Sequence, residues 1–282
     1  MPDIPGPIVD FEQVSVRFDD TWALRKVSFK LNAGETHIIL GAAGSGKTTL
    51  LKAAIGLVGV DDGDIKLFGQ DITSLTEHDL YPLRSRIGVL FQEGGLFDSL
   101  SVGDNVEYPL LNRQNPNGQN RNGQSGSEPS SVERQAREAL RFVELEQTFD
   151  KFPSEVSGGM RRRVGIARAI VTEPQLVLYD SPTAGLDPIT ANTIMALILK
   201  ERDVRNTASL IVTHRYQDGE LMADFRYDPQ QQELLHLPKE DGARHRTRFI
   251  VMKEGEIVFF GTREELASST DEYVKRFFKH EE

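Results

Sequence analysis

Cysteine is absent from the 282 residues. Disulfides and thiolate-held metal ions are therefore excluded, and the absence is compatible with a cytosolic protein. Basic residues are in the minority: 33 Lys and Arg stand against 43 Asp and Glu, a net charge of −10. A nucleic-acid binder more often carries a basic face, so no nucleic-acid partner is expected. No apolar run approaches the ~18 residues of a membrane-spanning helix, and the first residues lack the basic and apolar stretches of a secretory leader. A role in a membrane process would need other chains to supply the membrane part. The six histidines show no metal-ligand spacing, and residues such as His37 are expected to be structural or superficial.

What is present is a globular composition. Hydrophobic residues make up 38% and charged residues 27%, enough for a sizeable core, and the length suits one domain carrying an insertion. Alternation predicts strands over 8–18 and 23–31. Residues 36–40, Thr-His-Ile-Ile-Leu, read as a short strand buried on both faces. A glycine-rich loop follows, and 47–57 has helical spacing. Further strands are expected at 64–68, 87–91, 176–179 and 208–212. Helices are expected at 132–145, 158–171 and 188–202, with Ser101 and Asp104 opening another. Residues 249–260 read as a hairpin around Lys253-Glu254-Gly255, Thr262 and Glu265 form a capping box, and the tail from 271 is helical. Residues 113–131, rich in Asn, Gln, Gly and Ser, read as a loop or disordered insert. Residues 227–246 are polar and read as a second, irregular insert. The sum is an α/β chain, 1–282 as one domain. Its core of about 1–92 and 175–282 has a mostly parallel sheet with an N-terminal antiparallel β-subdomain, and a helical subdomain is inserted at about 93–174.

Three motifs carry chemistry. The first is G-x-x-x-x-G-K-T at 41–48, with Gly41, Gly44, Ser45, Gly46, Lys47 and Thr48, followed by Thr49. Phosphate oxygens need many donors close together. Glycines let backbone N–H groups turn inward, the following helix presents the positive end of its dipole, Lys47 reaches the β- and γ-phosphates, and the Thr48 hydroxyl ligates Mg²⁺. The second is Leu176-Val177-Leu178-Tyr179-Asp180, a buried strand delivering a carboxylate to the sheet edge where nucleotide-bound Mg²⁺ sits. The third is Ser157-Gly158-Gly159 opening a helix, an anion site by the same dipole argument. Alone, this last motif is an ordinary helix cap.

In this order, with Gln92 after a strand, Ala184-Gly185-Leu186-Asp187 and His214, the motifs resemble the nucleotide-binding domain of ABC transporters over nearly the whole chain. The resemblance implies a P-loop NTPase core, ATP and Mg²⁺ as ligands, and a second ABC ATP-binding subunit as partner, a homodimer being expected. It implies that Phe18 stacks on adenine, with Trp22 the nearby alternative. Gln92 would sense Mg²⁺ and the attacking water, and His214 would approach the γ-phosphate. Asp187 would lie at the dimer seam, and Ser157 and Gly159 would meet the γ-phosphate held by the other subunit.

One departure bears on catalysis. Where the family usually has Glu after the Asp-terminated strand, acting as general base, this chain has Ser181. A serine hydroxyl is not a useful base at neutral pH and can only orient water. Loss of a positioned base costs ~10²–10⁴ in rate. Two expectations stay open: a slow ATPase in which His214 carries more of the task, or a site that binds ATP and scarcely hydrolyses it.

The stretch 88–106, Ser157-Gly158-Gly159-Met160-Arg161-Arg162-Arg163 and Asp187-Pro188-Ile189-Thr190 are similar to Mla-type phospholipid-trafficking ATPases. That similarity implies a transmembrane permease, an Mce-type lipid-binding protein as a further partner, and a peripheral place on the cytoplasmic face of the cell membrane. Arg161-Arg162-Arg163 reads as a solvated helix face, or as a surface toward a membrane partner or nucleotide phosphates. Two other classes remain: a hydrolysis-impaired regulatory subunit paired with an active one, and a soluble ABC protein outside transport. A nucleotide kinase would share residues 41–48 but would not need Ser157-Gly158-Gly159 or His214.

Overall fold

A computed structural model describes residues 6–91, 94–114, 130–238 and 240–278. The first half contains β1 (Val9–Phe18), β2 (Thr21–Leu31), β3 (Thr36–Gly41), α1 (Lys47–Ala54), β4 (Asp62–Leu67), β5 (Gln70–Asp71), α2 (Glu77–Arg84), β6 (Ile87–Leu90), α3 (Val102–Gln114) and α4 (Ser131–Phe142). The second contains α5 (Gly158–Ile170), β7 (Leu176–Asp180), α6 (Pro188–Arg205), β8 (Ala208–Val212), α7 (Tyr216–Asp224), β9 (Phe225–Asp228), β10 (Glu233–His236), β11 (Thr247–Lys253), β12 (Glu256–Gly261), α8 (Arg263–Ala267) and α9 (Glu272–Lys275).

The main sheet runs β12-β11-β3-β8-β7-β6 and is parallel except for β12. A separate antiparallel sheet runs β2-β1-β4-β5, and α3, α4 and α5 pack on one another. This is the α/β arrangement expected, with its N-terminal antiparallel part and its helical block.

The strand β3 shows why the pattern at 36–40 is apolar without alternation. Every residue of Thr36–Gly41 is buried. Successive side chains point to opposite faces, so Ile38 and Leu40 enter the core built with α3, α4, α5 and α6, while Ile39 enters the core shared with α1 and the antiparallel sheet. Each such aliphatic contributes about 1.5–3 kcal/mol by burial. His37 is also a core residue, between the rings of Phe29 at 5.7 Å and Phe260 at 5.2 Å. Burial, with the nearby Arg248 charge, lowers its pKa to about 3.

The stretch 227–246 is not the irregular insert its composition suggests. Strands β9 and β10 pair antiparallel, and a short 3₁₀ turn, Gly242–Arg246, follows. Arg244 is buried; it pairs with Asp224 and Glu264 and donates to the Leu237 carbonyl at 3.1 Å. Polar composition hid this segment because its anchor is an arginine satisfied by carboxylates distant in sequence. Two helices also lacked an expectation. One is α2, opened by a capping box between Thr76 and Asp79; the other is α7. Most of 113–131 lies outside the described residues.

One carboxyl works against the fold. Glu201 on α6 is 1% exposed. Its Oε1 accepts from the Thr207 hydroxyl at 3.3 Å, Arg205 lies 3.7 Å from Oε2, and Oε2 makes no hydrogen bond among the described residues. Burial raises its pKa from 4.5 to about 7, against the pull of Arg205. An unfolded glutamate ionises near 4.5, so ionisation opposes folding increasingly as pH rises from 4.5 to 7, and the full penalty stands above 7. Glu201→Gln is therefore expected to raise the melting temperature at pH 8, by an amount corresponding to roughly 1–3 kcal/mol, with the gain shrinking at pH 5. Melting curves of both proteins at the two pH values check this.

Candidate functional site

The parallel register gathers the site. In β8, Val212 stands opposite Ile39 of β3 on one side and Asp180 of β7 on the other. The carboxyl ends of these strands therefore discharge the loop at 41–48, the Asp180 side chain and His214 at one edge of the sheet, where open α/β sheets place ligands.

The loop is built to receive an anion. Gly46 caps α1 with φ 102°, a left-handed conformation, and a Cβ there would stand 2.3 Å from the Ala23 carbonyl oxygen. Lys47, the first residue of α1, is buried, and no acidic residue occupies that first turn. A cation at a helix N-terminus adds to the positive end of the dipole rather than offsetting it. Lys47 Nζ donates to the carbonyls of Gly41 at 2.8 Å and Ala42 at 2.7 Å, and lies 3.4 Å from Ser45 Oγ. Burial lowers its pKa, while Asp180 raises it. An anion is the partner that this combination favours.

Opposite the loop, both oxygens of Asp180 are engaged by hydroxyls. Thr48 Oγ1 donates to Oδ2 at 3.2 Å and Ser181 Oγ donates to Oδ1 at 3.1 Å. A carboxylate beside a threonine hydroxyl is a hard-oxygen pair, the donor type that Mg²⁺ takes; the residues present fit that ion. Ser181 is buried at φ 53°, and its N–H donates to Val212 O at 2.9 Å. His214 is exposed, and partial desolvation, then the Lys47 charge, lower its pKa against the effect of Asp180. It is therefore neutral at pH 7 and able to accept a hydrogen bond.

The remaining expected residues fall elsewhere. Ser157 caps α5, its Oγ accepting from Met160 N–H at 3.2 Å. Asp187 caps α6, accepting from the N–H groups of Ile189 and Thr190. Among the described residues, no hydrogen bond or ion pair joins 157–159 to the loop 41–48. Phe18, at the end of β1, is 51% exposed; Trp22 is 38% exposed, with the Arg17 guanidinium 5.3 Å from its ring centre. Gln92 lies outside the described residues. A cavity of about 800 Å³ is lined by Trp22, Arg25, Lys26 and Asp62 among others, and by none of Lys47, Thr48 or Asp180.

Two residues at the site escaped sequence reasoning. Asp218 is buried and accepts from the hydroxyls of Thr183 at 2.5 Å and Thr213 at 2.6 Å. It bolts the turn after Asp180 to the turn that carries His214. Tyr273, on α9, accepts from Ala42 N–H at 3.3 Å and donates to Met252 O at 3.0 Å. Neither sits in a local pattern that would signal its role.

The sequence profile described as "ABC transporter" matches residues 24–184, more than half of the chain. The chain belongs to the ABC transporter family. It is 30% identical over 275 residues to the intermembrane phospholipid transport system ATP-binding protein MlaF of Haemophilus influenzae, covering 97% of this chain and 91% of that one. It is also 30% identical over 272 residues to the probable ribonucleotide transport ATP-binding protein mkl of Mycobacterium leprae, covering 96% and 69%. It is 36% identical over 217 residues to the methionine import ATP-binding protein MetN of Rhizobium etli, covering 77% and 57%. The dimeric post-hydrolysis structure of the ATP-binding cassette MJ0796, bound to ADP and Pi, superposes with a TM-score of 0.70 at 27% identity, covering 90% and 98%. This ABC chain is accordingly an ATP-binding subunit of a transporter.

Base stacking on an aromatic contributes about 1–3 kcal/mol. Phe18→Ala is expected to weaken ATP binding by at least about fivefold, and Trp22→Ala, whose ring already holds Arg17, by much less. Calorimetric titration of the two variants separates these positions.

Proposed function

We propose that this chain is the motor subunit of a lipid-trafficking ABC transporter, with two copies closing head to tail on two ATP molecules and opening again after hydrolysis. The observation that carries the reading is a division of labour. One anion cradle, the loop 41–48 with Asp180, lies at the sheet edge, and a second anion-ready helix start, Ser157-Gly158-Gly159, stands on another element without touching it. A two-fold pair of chains brings each helix start to the other's cradle. Lys47 and the loop N–H groups would hold the phosphates, and Phe18 would hold the base. Thr48, Asp180 and Gln92 would hold Mg²⁺, which when bound neutralises phosphate charge. Asp187 would meet the partner at the seam.

The lipid reading is supported by MlaF, with which this chain shares most of its length. An Mce-type lipid-binding partner belongs to that reading. The relatives named for ribonucleotide and methionine transport would make other cargoes the outcome of a transport assay. A permease partner is supported by an apolar groove beside the site, lined by Leu51, Ile55, Leu57, Val89 and Phe91, with Leu57 48% and Phe91 50% exposed. Among the described residues no helix is long and apolar enough to cross a membrane. A peripheral place on the cytoplasmic face, through such a permease, follows from this proposal.

The reading of a hydrolysis-impaired subunit is favoured by one contact. The Ser181 hydroxyl donates to Asp180, so it is committed to the carboxylate and does not take a proton from water. His214, neutral, is left to orient the nucleophile. Ser181→Glu is expected to raise the single-turnover rate of ATP hydrolysis by about 10²-fold or more, while Ser181→Ala leaves it unchanged. Equal rates for wild type and Ser181→Glu would show that the missing carboxylate is not what limits this site.

A further inference from the structure

The three arginines at 161–163, shortly after Ser157-Gly158-Gly159, do not form a solvated face. Arg161 donates to Val156 O at 2.8 Å and Arg163 to Val143 O at 3.2 Å. Arg162, 5% exposed, reaches furthest. Its Nη1 donates to the carbonyls of Ser181 at 2.7 Å and Pro182 at 2.9 Å, and its Nη2 to that of Ala184 at 3.1 Å. A planar guanidinium carries several donors in a fixed fork. Three consecutive-turn carbonyls held by one fork cannot drift relative to the helix that carries it.

A second contact joins the same two segments. A Cβ on Gly159 would stand 2.7 Å from Thr190 Cγ2. Thr190 has little freedom to yield, because its hydroxyl donates to Asp187 Oδ2 at 2.6 Å and its N–H to Oδ1 at 3.0 Å. The start of α5 is thus pinned at 181–184 by Arg162 and abuts the first turn of α6 at Thr190. The helix start that offers an anion site, the Ser181 turn and the Asp187 cap form one body.

We infer that Arg162 is a positioning residue that couples the two nucleotide sites of the dimer. The inference rests on the head-to-tail pairing proposed above. In that pairing the Ser181 turn of a chain belongs to one site and its Ser157-Gly159 helix start to the other. ATP seated against the helix start moves or fixes α5. Through Arg162 it then fixes the turn beside Asp180 in the neighbouring site, and the second ATP meets a turn already set. Occupancy of the sites is therefore positively cooperative, and the cooperativity passes through the Arg162 fork rather than through the phosphate contacts. Asp218 ties the same turn to the His214 loop, which carries the effect to the other side of the sheet edge.

The test uses the full chain, with MgADP and MgATP as probes. ADP binding by the monomer reads the loop 41–48 alone, and ATP-driven dimerisation by sedimentation reads both sites. Arg162→Gln removes the fork and keeps a polar side chain; Arg162→Lys keeps the charge and at most part of the fork. The expected result is wild-type ADP affinity in both variants. The midpoint of ATP-driven dimerisation rises at least about fivefold in Arg162→Gln, with its Hill coefficient falling below the wild-type value, and Arg162→Lys lies between. Dimerisation by Arg162→Gln with wild-type midpoint and steepness overturns the coupling role. A parallel loss of ADP affinity in both variants overturns it too, by showing that the arginine merely supports the fold. A wild-type chain that stays monomeric with ATP overturns the pairing beneath the inference, and is told apart from the other results by needing no variant.

Discussion

The register of three parallel strands governs this molecule. Because Val212 sits between Ile39 and Asp180, a cationic loop, a carboxylate and an imidazole leave the sheet side by side. The strands are buried on both faces, and a slip by one residue would exchange the two cores and turn each functional side chain to the wrong face. The packing of Ile38, Ile39 and Leu40 thus determines where phosphate chemistry can occur, although none of them meets a ligand.

The chemical groups of the cradle were legible because they are local. The glycine spacing, Lys47 and Thr48 lie within eight residues, and an apolar strand announces Asp180. The parallel core, the antiparallel N-terminal sheet and the helical block were legible from periodicity. What was not legible is polar and distant. Thr183 finds Asp218 across 35 positions, and Ala42 finds Tyr273 across 231. Arg162 was visible as part of a basic run, but basic runs are mostly solvated, and nothing local says that its partners are backbone carbonyls. The hairpin of β9 and β10 was missed for the same reason, since its neighbouring anchor Arg244 is a charge buried by remote carboxylates.

These polar ties share one design. Asp218 between two threonines, Arg162 on three carbonyls and Tyr273 between Ala42 and Met252 each fasten a loop at the sheet edge to an element behind it. Apolar contacts are non-directional and would hold such loops near one another without orienting them. Hydrogen bonds with a buried charged partner are angular and costly to break, so they set loop geometry at the scale that phosphate recognition demands. The glutamate at 201 lies on a different edge of the structure: its Oε1 meets Thr207 in the connection from α6 to β8, and, like Asp218 Oδ1, its second oxygen makes no hydrogen bond among the described residues.

The contact of Tyr273 with Ala42 has a temporal side. The cradle and one of its braces stand 231 positions apart, the brace coming later in the chain. A growing polypeptide has its phosphate loop long before it has that brace. Synthesis must pass residue 273 before the loop acquires all of its native supports, so nucleotide arriving earlier meets a cradle not yet fully tied. The tie to Tyr273 therefore forms only after 231 further residues have joined the chain beyond Ala42.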